Sequence, residues 1–339
     1  MMQTTSQKLV DVAIPVYGKP YQTITTIQSI IDYSLEHVDK IYLNYEKSQP
    51  HNDWGGIYKI IDYFKDSPVK LVVHRPAYFL GLGTVDWERA KTDTVFRHSI
   101  IYQYAFESTD KKFLCLMHND MLLKGDLIGR LLRELEGKES VAGVGQIGQC
   151  WNCPAFYANR CSSTQYEYYK PSFSEALELH QAYDIPRKEN AIAILQRGLV
   201  HPLPECRLNE YCALINVPLY RQLTIPNGPV GSFGGNWGGS DTGAAWFYGM
   251  YNAGYKSIHF DVHSMATHAA FDGSGSGSES NINVDRYFLS EKNALDYINS
   301  THAKPAKFSF YVSINAALDA LKRNGTQVAY SMYKKLLNK

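Results

Sequence analysis

Short apolar runs and amphipathic stretches alternate along the first half of the chain. Residues 9–14 form a run of strand length, and the turn from Pro15 to Pro20 leads into a helix with Ile24, Ile27, Ile30 and Ile31 on one face. Residues 41–43 and 69–73 read as two more strands, with a helical stretch, 57–64, between them. Residues 75–89 contain Gly81 and Gly83 and read as a long loop, and 94–106 as a helix. An apolar strand follows at 113–117, then a helix opened by Gly125 and Asp126 and running to Leu135, then a strand at 141–146. Further on, 244–253 predicts a helix stopped by Gly254 and followed by a strand through Ile258 and Phe260. Two C-terminal helices are expected at 285–298 and 313–337, the second broken at Asn324 and Gly325. Strand and helix in alternation predict an α/β fold with a mainly parallel sheet, whose ligands bind beyond the carboxyl ends of the strands.

Composition changes the picture in two places. Between 150 and 215 the chain carries Cys150, Cys153, Cys161, Cys206 and Cys212 among tyrosines and prolines, and reads as an insertion. From Asp272 to Asn281 glycine and serine alternate and cannot pack a core, so a lid or a plain linker is expected there. The expected division is 1–149 and 216–271 as two halves of one domain, 150–215 as the insertion, 272–284 as the flexible loop and 285–339 as a helical segment. Cys150, Cys153, Cys161 and Cys206 suit a structural zinc, with buried free thiols as the alternative reading.

Charge removes other classes. The 34 basic and 33 acidic residues leave a formal net charge of +1, which gives no overall field towards nucleic acid or an anionic membrane. No apolar run reaches the ~18 residues of a membrane span, and the polar N-terminus lacks the apolar centre of a signal peptide. A cytoplasmic protein is expected, with Lys334, Lys335 and Lys339 either touching a membrane surface or simply keeping the last helix solvated.

Three polar features carry chemistry. Phe233-Gly-Gly-Asn-Trp-Gly-Gly-Ser-Asp241 is poor material for a helix or strand, and Asp241 stands near a helix start, where a capping role is the plain expectation. His118-Asn119-Asp120 ends a buried strand. His263 and His268 follow the strand after the glycine-rich stretch.

Taken together, the Ile-Pro-Val-Tyr strand end, the strand-end triplet and the Trp-Gly-Gly-x-Asp stretch resemble the family 2-like glycosyltransferases of GT-A fold. The resemblance implies a Rossmann-like mixed sheet flanked by helices and an Asp-x-Asp type motif holding Mn²⁺ or Mg²⁺ against a nucleotide-diphosphate sugar. It carries over Asp120 and His268 as metal ligands, with His118 and His263 as alternatives, and Pro15, Tyr17, Glu46, Asn119 and Asp120 as the donor side. Asp241 takes the place of the catalytic base of an inverting transfer, and Trp237, Gly238 and Gly239 the acceptor side. His118 and Ser240 stand where the family has acids. A UDP-sugar is slightly favoured as donor, and a saccharide or lipid-linked glycan of polysaccharide biosynthesis as acceptor. A DNA-base-modifying transferase, with nucleic acid as partner, is the variant within the same chemistry. A nucleotidyltransferase and a non-catalytic glycan-binding protein are the rivals outside it.

Overall fold

The computed structural model describes residues 8–53, 55–81, 85–273, 281–302 and 304–337. Strands β1 (Val10–Val16), β2 (Val38–Tyr45), β3 (Lys70–His74) and β4 (Phe113–Met117) are followed by a short β5 (Met121–Leu123), β6 (Val141–Ile147), β7 (Leu208–Asn216), β8 (Lys256–His259) and β9 (Ala266–His268). Seven of them form one sheet in the order β3-β2-β1-β4-β7-β6-β8, while β5 and β9 pair separately. All neighbours in the large sheet run parallel except β7, which is antiparallel to both β4 and β6. The fold is thus the expected mixed, mainly parallel α/β sheet flanked by helices.

Burial explains the strands. Every residue of β4 is buried, as a strand covered on both faces requires, and the helix Pro20–Ser34 sends Ile24, Ile27 and Ile30 into the core while Ile31 is half-buried. Proline at the first turn of that helix costs no backbone hydrogen bond.

The structure departs from the sequence reading in five places. β7 lies inside the 150–215 segment but for its last residue, Asn216, so that segment is an insertion only up to Arg207; residues 208–215 fill the gap between β4 and β6 and are buried almost throughout. The 94–106 stretch is two short helices, Thr94–Arg97 and Gln103–Ser108, because Tyr102 adopts φ 70° and turns its ring edge-on to Phe233. The 75–89 loop ends early, where Asp86 caps the helix Trp87–Thr92 by accepting from Arg89 N at 3.0 Å; Gly83 lies outside the described residues. The last helix, Phe310–Leu337, runs unbroken through Asn324 and Gly325. Asp241 does not cap the helix Ala244–Asn252: the position before that helix is Gly243, at φ 88°.

Residues 274–280, the centre of the expected lid or linker, and Lys339 lie outside the described residues, as do the side chains of Lys334 and Lys335. Among the described residues no helix is long and apolar enough to cross a membrane.

This topology gathers chemistry along one edge. β1, β2, β4, β6 and β8 all end there, and β7, running the other way, begins there.

Candidate active site

Asp120 sits three residues past β4, and the β5–β9 pair, with Met121 opposite His268, carries that histidine to it. His268 Nε2 lies 3.3 Å from Asp120 Oδ1 and 3.2 Å from His118 Nδ1, and His118 Nδ1 is 4.0 Å from the same carboxylate oxygen. One donor atom from each of the three residues falls within 4.8 Å of the others. Asp120 Oδ2 accepts from Lys19 Nζ at 2.8 Å, whereas Oδ1 is buried without a hydrogen bond. Burial alone would raise the Asp120 carboxyl, but Lys19 and the two imidazoles outweigh it and hold the group well below the usual carboxylate range. Burial, and after it His268, push His118 down to about 3, so its ring is neutral and keeps a lone pair.

These residues fit a divalent cation. An orphaned, ionised, buried oxygen between two imidazoles is costly without one. The nitrogen-rich donor set suits Mn²⁺ better than Mg²⁺, which prefers oxygen and water. His118 and His268 therefore join Asp120 together. His263 does not: it is exposed, with Nε2 3.3 Å from the Tyr211 hydroxyl.

The residues expected on the donor side, Pro15, Tyr17 and Glu46, lie at the ends of β1 and β2. Glu46 N donates to Val16 O at 3.1 Å, and the Glu46 carboxylate accepts from the Asn44 amide. Burial pushes Glu46 up to about 8. Tyr17 stacks on Phe79 with centroids 5.8 Å apart, and Pro15 faces Asn44 across the β1–β2 register. The loop between Val16 and Lys19 is tied down from three sides. Gly18 N donates to Gln49 Oε1 at 2.6 Å, Asn119 Nδ2 donates to Gly18 O at 3.1 Å, and Lys19 N donates to the Tyr287 hydroxyl at 2.8 Å. Asn119 thus points into the protein and positions this loop.

Asp241 lies across the edge. One carboxylate oxygen pairs with Arg187; the other accepts from the Gln149 amide and lies 3.5 Å from Arg207 Nη2. Burial would raise this carboxyl too, but Arg207, Arg187 and Gln149 together hold it below its ordinary value. Arg207 also pairs with Glu210, and Glu210 Oε1 lies 3.6 Å from His118 Nε2. The two carboxylate centres are therefore linked through Arg207 and Glu210, at the start of β7. Sequence reasoning missed Lys19, Gln149, Arg187, Arg207 and Glu210. The only signal available for Arg207 and Glu210 was the polar entry to an otherwise apolar strand at 208–216.

The glycine-rich stretch packs closely. A side chain at Gly235 would meet the Trp87 ring at 2.0 Å, and Gly239, at φ 86°, would meet the Asn190 amide at 2.5 Å. The space beside these two glycines is thus filled by the protein itself. Ser240 Oγ accepts from Trp237 N at 3.0 Å and shapes the turn. Trp237 and Gly238 are half-buried; Trp237 meets Tyr248 edge-on at 5.3 Å and lines a groove with Trp87, Lys91, Arg197 and Val230. Neither Asp241 nor the His118–Asp120–His268 cluster lines that groove.

Cys150, Cys153, Cys161 and Cys206 line one small pocket as free thiols. They are not drawn into one coordination sphere: among the described residues no three of their donor atoms come within 4.8 Å of one another.

No protein-family model matches the sequence, and no curated protein matches it. Solved structures similar to it include a mannosyltransferase from Pyrobaculum calidifontis in complex with GDP-Man and Mn²⁺, at 11% identity and a TM-score of 0.46, over 98% of this chain and 84% of that one. Another is core-mannan synthase A from Aspergillus fumigatus in its Mn/GDP form, at 9% identity and a TM-score of 0.41, over 75% of this chain and 73% of that one. A third is glucosyl-3-phosphoglycerate synthase from Mycobacterium tuberculosis with Mn²⁺, UDP-glucose and glycerol 3-phosphate, at 11% identity and a TM-score of 0.38, over 87% and 80%. Likenesses this distant decide nothing about the reaction, which has to be argued from the site.

Proposed function

We propose that the chain is a metal-dependent glycosyltransferase that moves a sugar from a nucleotide-diphosphate donor to an acceptor hydroxyl. The observation that carries this reading is the buried Asp120 Oδ1, left without a hydrogen bond between His118 and His268 at the carboxyl ends of the parallel strands. His118, Asp120 and His268 would hold Mn²⁺, which supplies charge neutralisation for a diphosphate leaving group. Lys19 adds a fixed positive charge beside Asp120, and the loop it belongs to is held by Gln49, Asn119 and Tyr287. Tyr17, Phe79 and Glu46 border the nucleoside side; Glu46, with its raised carboxyl, is able to donate a hydrogen bond as well as accept one.

Asp241 is the base in this reading. To take the acceptor's proton its carboxylate has to give up a bond to Gln149 or Arg187, and an acceptor hydroxyl arriving at that oxygen is the natural replacement. Arg207 stays beside it and keeps it ionised until the hydroxyl is in place. The acceptor is a saccharide or lipid-linked glycan. The near-neutral charge lends no support to a DNA acceptor, and a single carboxylate in the cluster lends none to a nucleotidyltransferase.

One observation favours a second reading. With both oxygens already engaged, Asp241 also suits a purely structural role in a non-catalytic glycan-binding protein. A panel of nucleotide sugars incubated with the protein and Mn²⁺ separates the two. Release of nucleoside diphosphate that stops on chelation supports the transferase; glycan binding without release or transfer from any donor rejects it.

A further inference from the structure

Four cysteines line one pocket on different elements from the His118–Asp120–His268 cluster. Cys150 opens the turn after β6, Cys153 precedes the helix Pro154–Tyr157, Cys161 follows that helix, and Cys206 stands just before β7. Cys153, Cys161 and Cys206 are 5%, 8% and 8% exposed, and Cys150 is half-buried with Sγ 3.3 Å from Ser163 Oγ.

A fifth group in the pocket lining points to a cation. Glu205, 9% exposed, pairs through Oε1 with His180 Nε2 at 2.9 Å, while its Oε2 is buried without a hydrogen bond. His180 Nδ1 lies 2.7 Å from the Ala176 carbonyl, which can only accept, so that nitrogen carries a proton; Nε2 needs a second proton to donate to Glu205. One charge is thus balanced within the pair, and a carboxylate oxygen is still unpartnered among thiols.

We propose that Cys150, Cys153, Cys161 and Cys206 bind a structural zinc ion, with Glu205 at its rim. The close Cys150–Cys153 pair and the two distant thiols supply four sulfur donors, the set that soft, tetrahedral zinc prefers. Binding draws the thiols together from their present separations and releases their protons to solvent. The ion joins the end of β6 to the entry of β7. Those two stretches are already bonded, Gly148 N to Arg207 O at 2.8 Å and Gln149 N to Glu205 O at 3.0 Å, and they carry the Gln149 and Arg207 side chains that hold Asp241. The site stands whether or not Asp241 is a catalytic base.

The test is metal analysis of the full chain, purified under reducing conditions without chelator, together with a cobalt titration. About one zinc per chain is expected, falling below ~0.2 in Cys153→Ser and in Cys206→Ser and unchanged in His118→Ala. Because a cysteine variant can fail to fold, the titration uses the wild type after zinc removal: thiolate-to-cobalt absorption should appear and saturate near one equivalent. A folded wild type without zinc and without that absorption overturns the proposal. So does zinc that is lost in His118→Ala and retained in the cysteine variants.

Discussion

Two carboxylates at the carboxyl edge of the sheet, Asp120 buried and Asp241 half-buried, have opposite surroundings. Asp120 has one oxygen on Lys19 and the other free of hydrogen bonds between two imidazoles. Asp241 has both oxygens engaged, by Arg187, Arg207 and Gln149. Both groups are held below the ordinary carboxylate range against the effect of burial, so both are ionised at neutral pH. The difference is in unfilled capacity. An orphaned acceptor between two imidazoles invites a cation, whereas a saturated carboxylate can accept a proton only after a partner has left.

The contrast gives graded predictions. Asp120→Asn removes the one charged donor of the cluster and should lose metal binding and, through several kcal/mol of leaving-group stabilisation, ~10³-fold of transfer. A donor-turnover assay at saturating Mn²⁺ measures it; transfer within tenfold of wild type would break the metal half of the comparison. Asp241→Asn should reduce transfer by ~10²–10⁴-fold while leaving Mn²⁺ affinity unchanged. Substantial transfer in that variant would reduce Asp241 to a partner of the arginines.

Arg187→Ala sharpens the second half. Arg187 is one of the groups that lower Asp241, so its loss should raise that carboxyl and move the acid limb of the kcat–pH profile to higher pH, by under about one unit because the guanidinium is 43% exposed. An acid limb that stays in place would mean that Asp241 is not the group titrating. The smallest effect concerns stability. Glu46 is raised to about 8 in the folded protein, so its contribution is fully present below about pH 4.5 and is lost as pH rises through 8, by at most ~1.4 kcal/mol per pH unit. Glu46→Gln, which carries no charge, should flatten the fall of Tm between pH 5 and pH 8, as thermal melts at several pH values would register.

The sequence made the Asp120 side legible and the Asp241 side only in part. A triplet at the end of an apolar strand and a histidine at the end of a later one are local signals, and β4, β5 and β9 bring those residues together. The setting of Asp241 and the crowding beside its glycines depend on tertiary partners the local pattern does not contain: Arg187 from the insertion, Gln149 from the end of β6, and Trp87 and Asn190 lying where glycine side chains would be. Arg207 and Glu210 stayed hidden because β7 was masked by the cysteine- and tyrosine-rich composition preceding it, and an antiparallel strand in an otherwise parallel sheet has no periodicity of its own to announce it. The break expected at Asn324 and Gly325 failed for a simpler reason: one glycine costs a helix only about 1 kcal/mol.

The most direct test of the central claim is a Mn²⁺ titration followed by electron paramagnetic resonance, on the wild type and on Asp120→Asn, with and without a nucleoside diphosphate. If His118, Asp120 and His268 hold the ion, one Mn²⁺ per wild-type chain is expected, bound more tightly when the diphosphate is present, with no such binding in Asp120→Asn. Equal binding by the two proteins, or wild-type binding indifferent to the diphosphate, would contradict it.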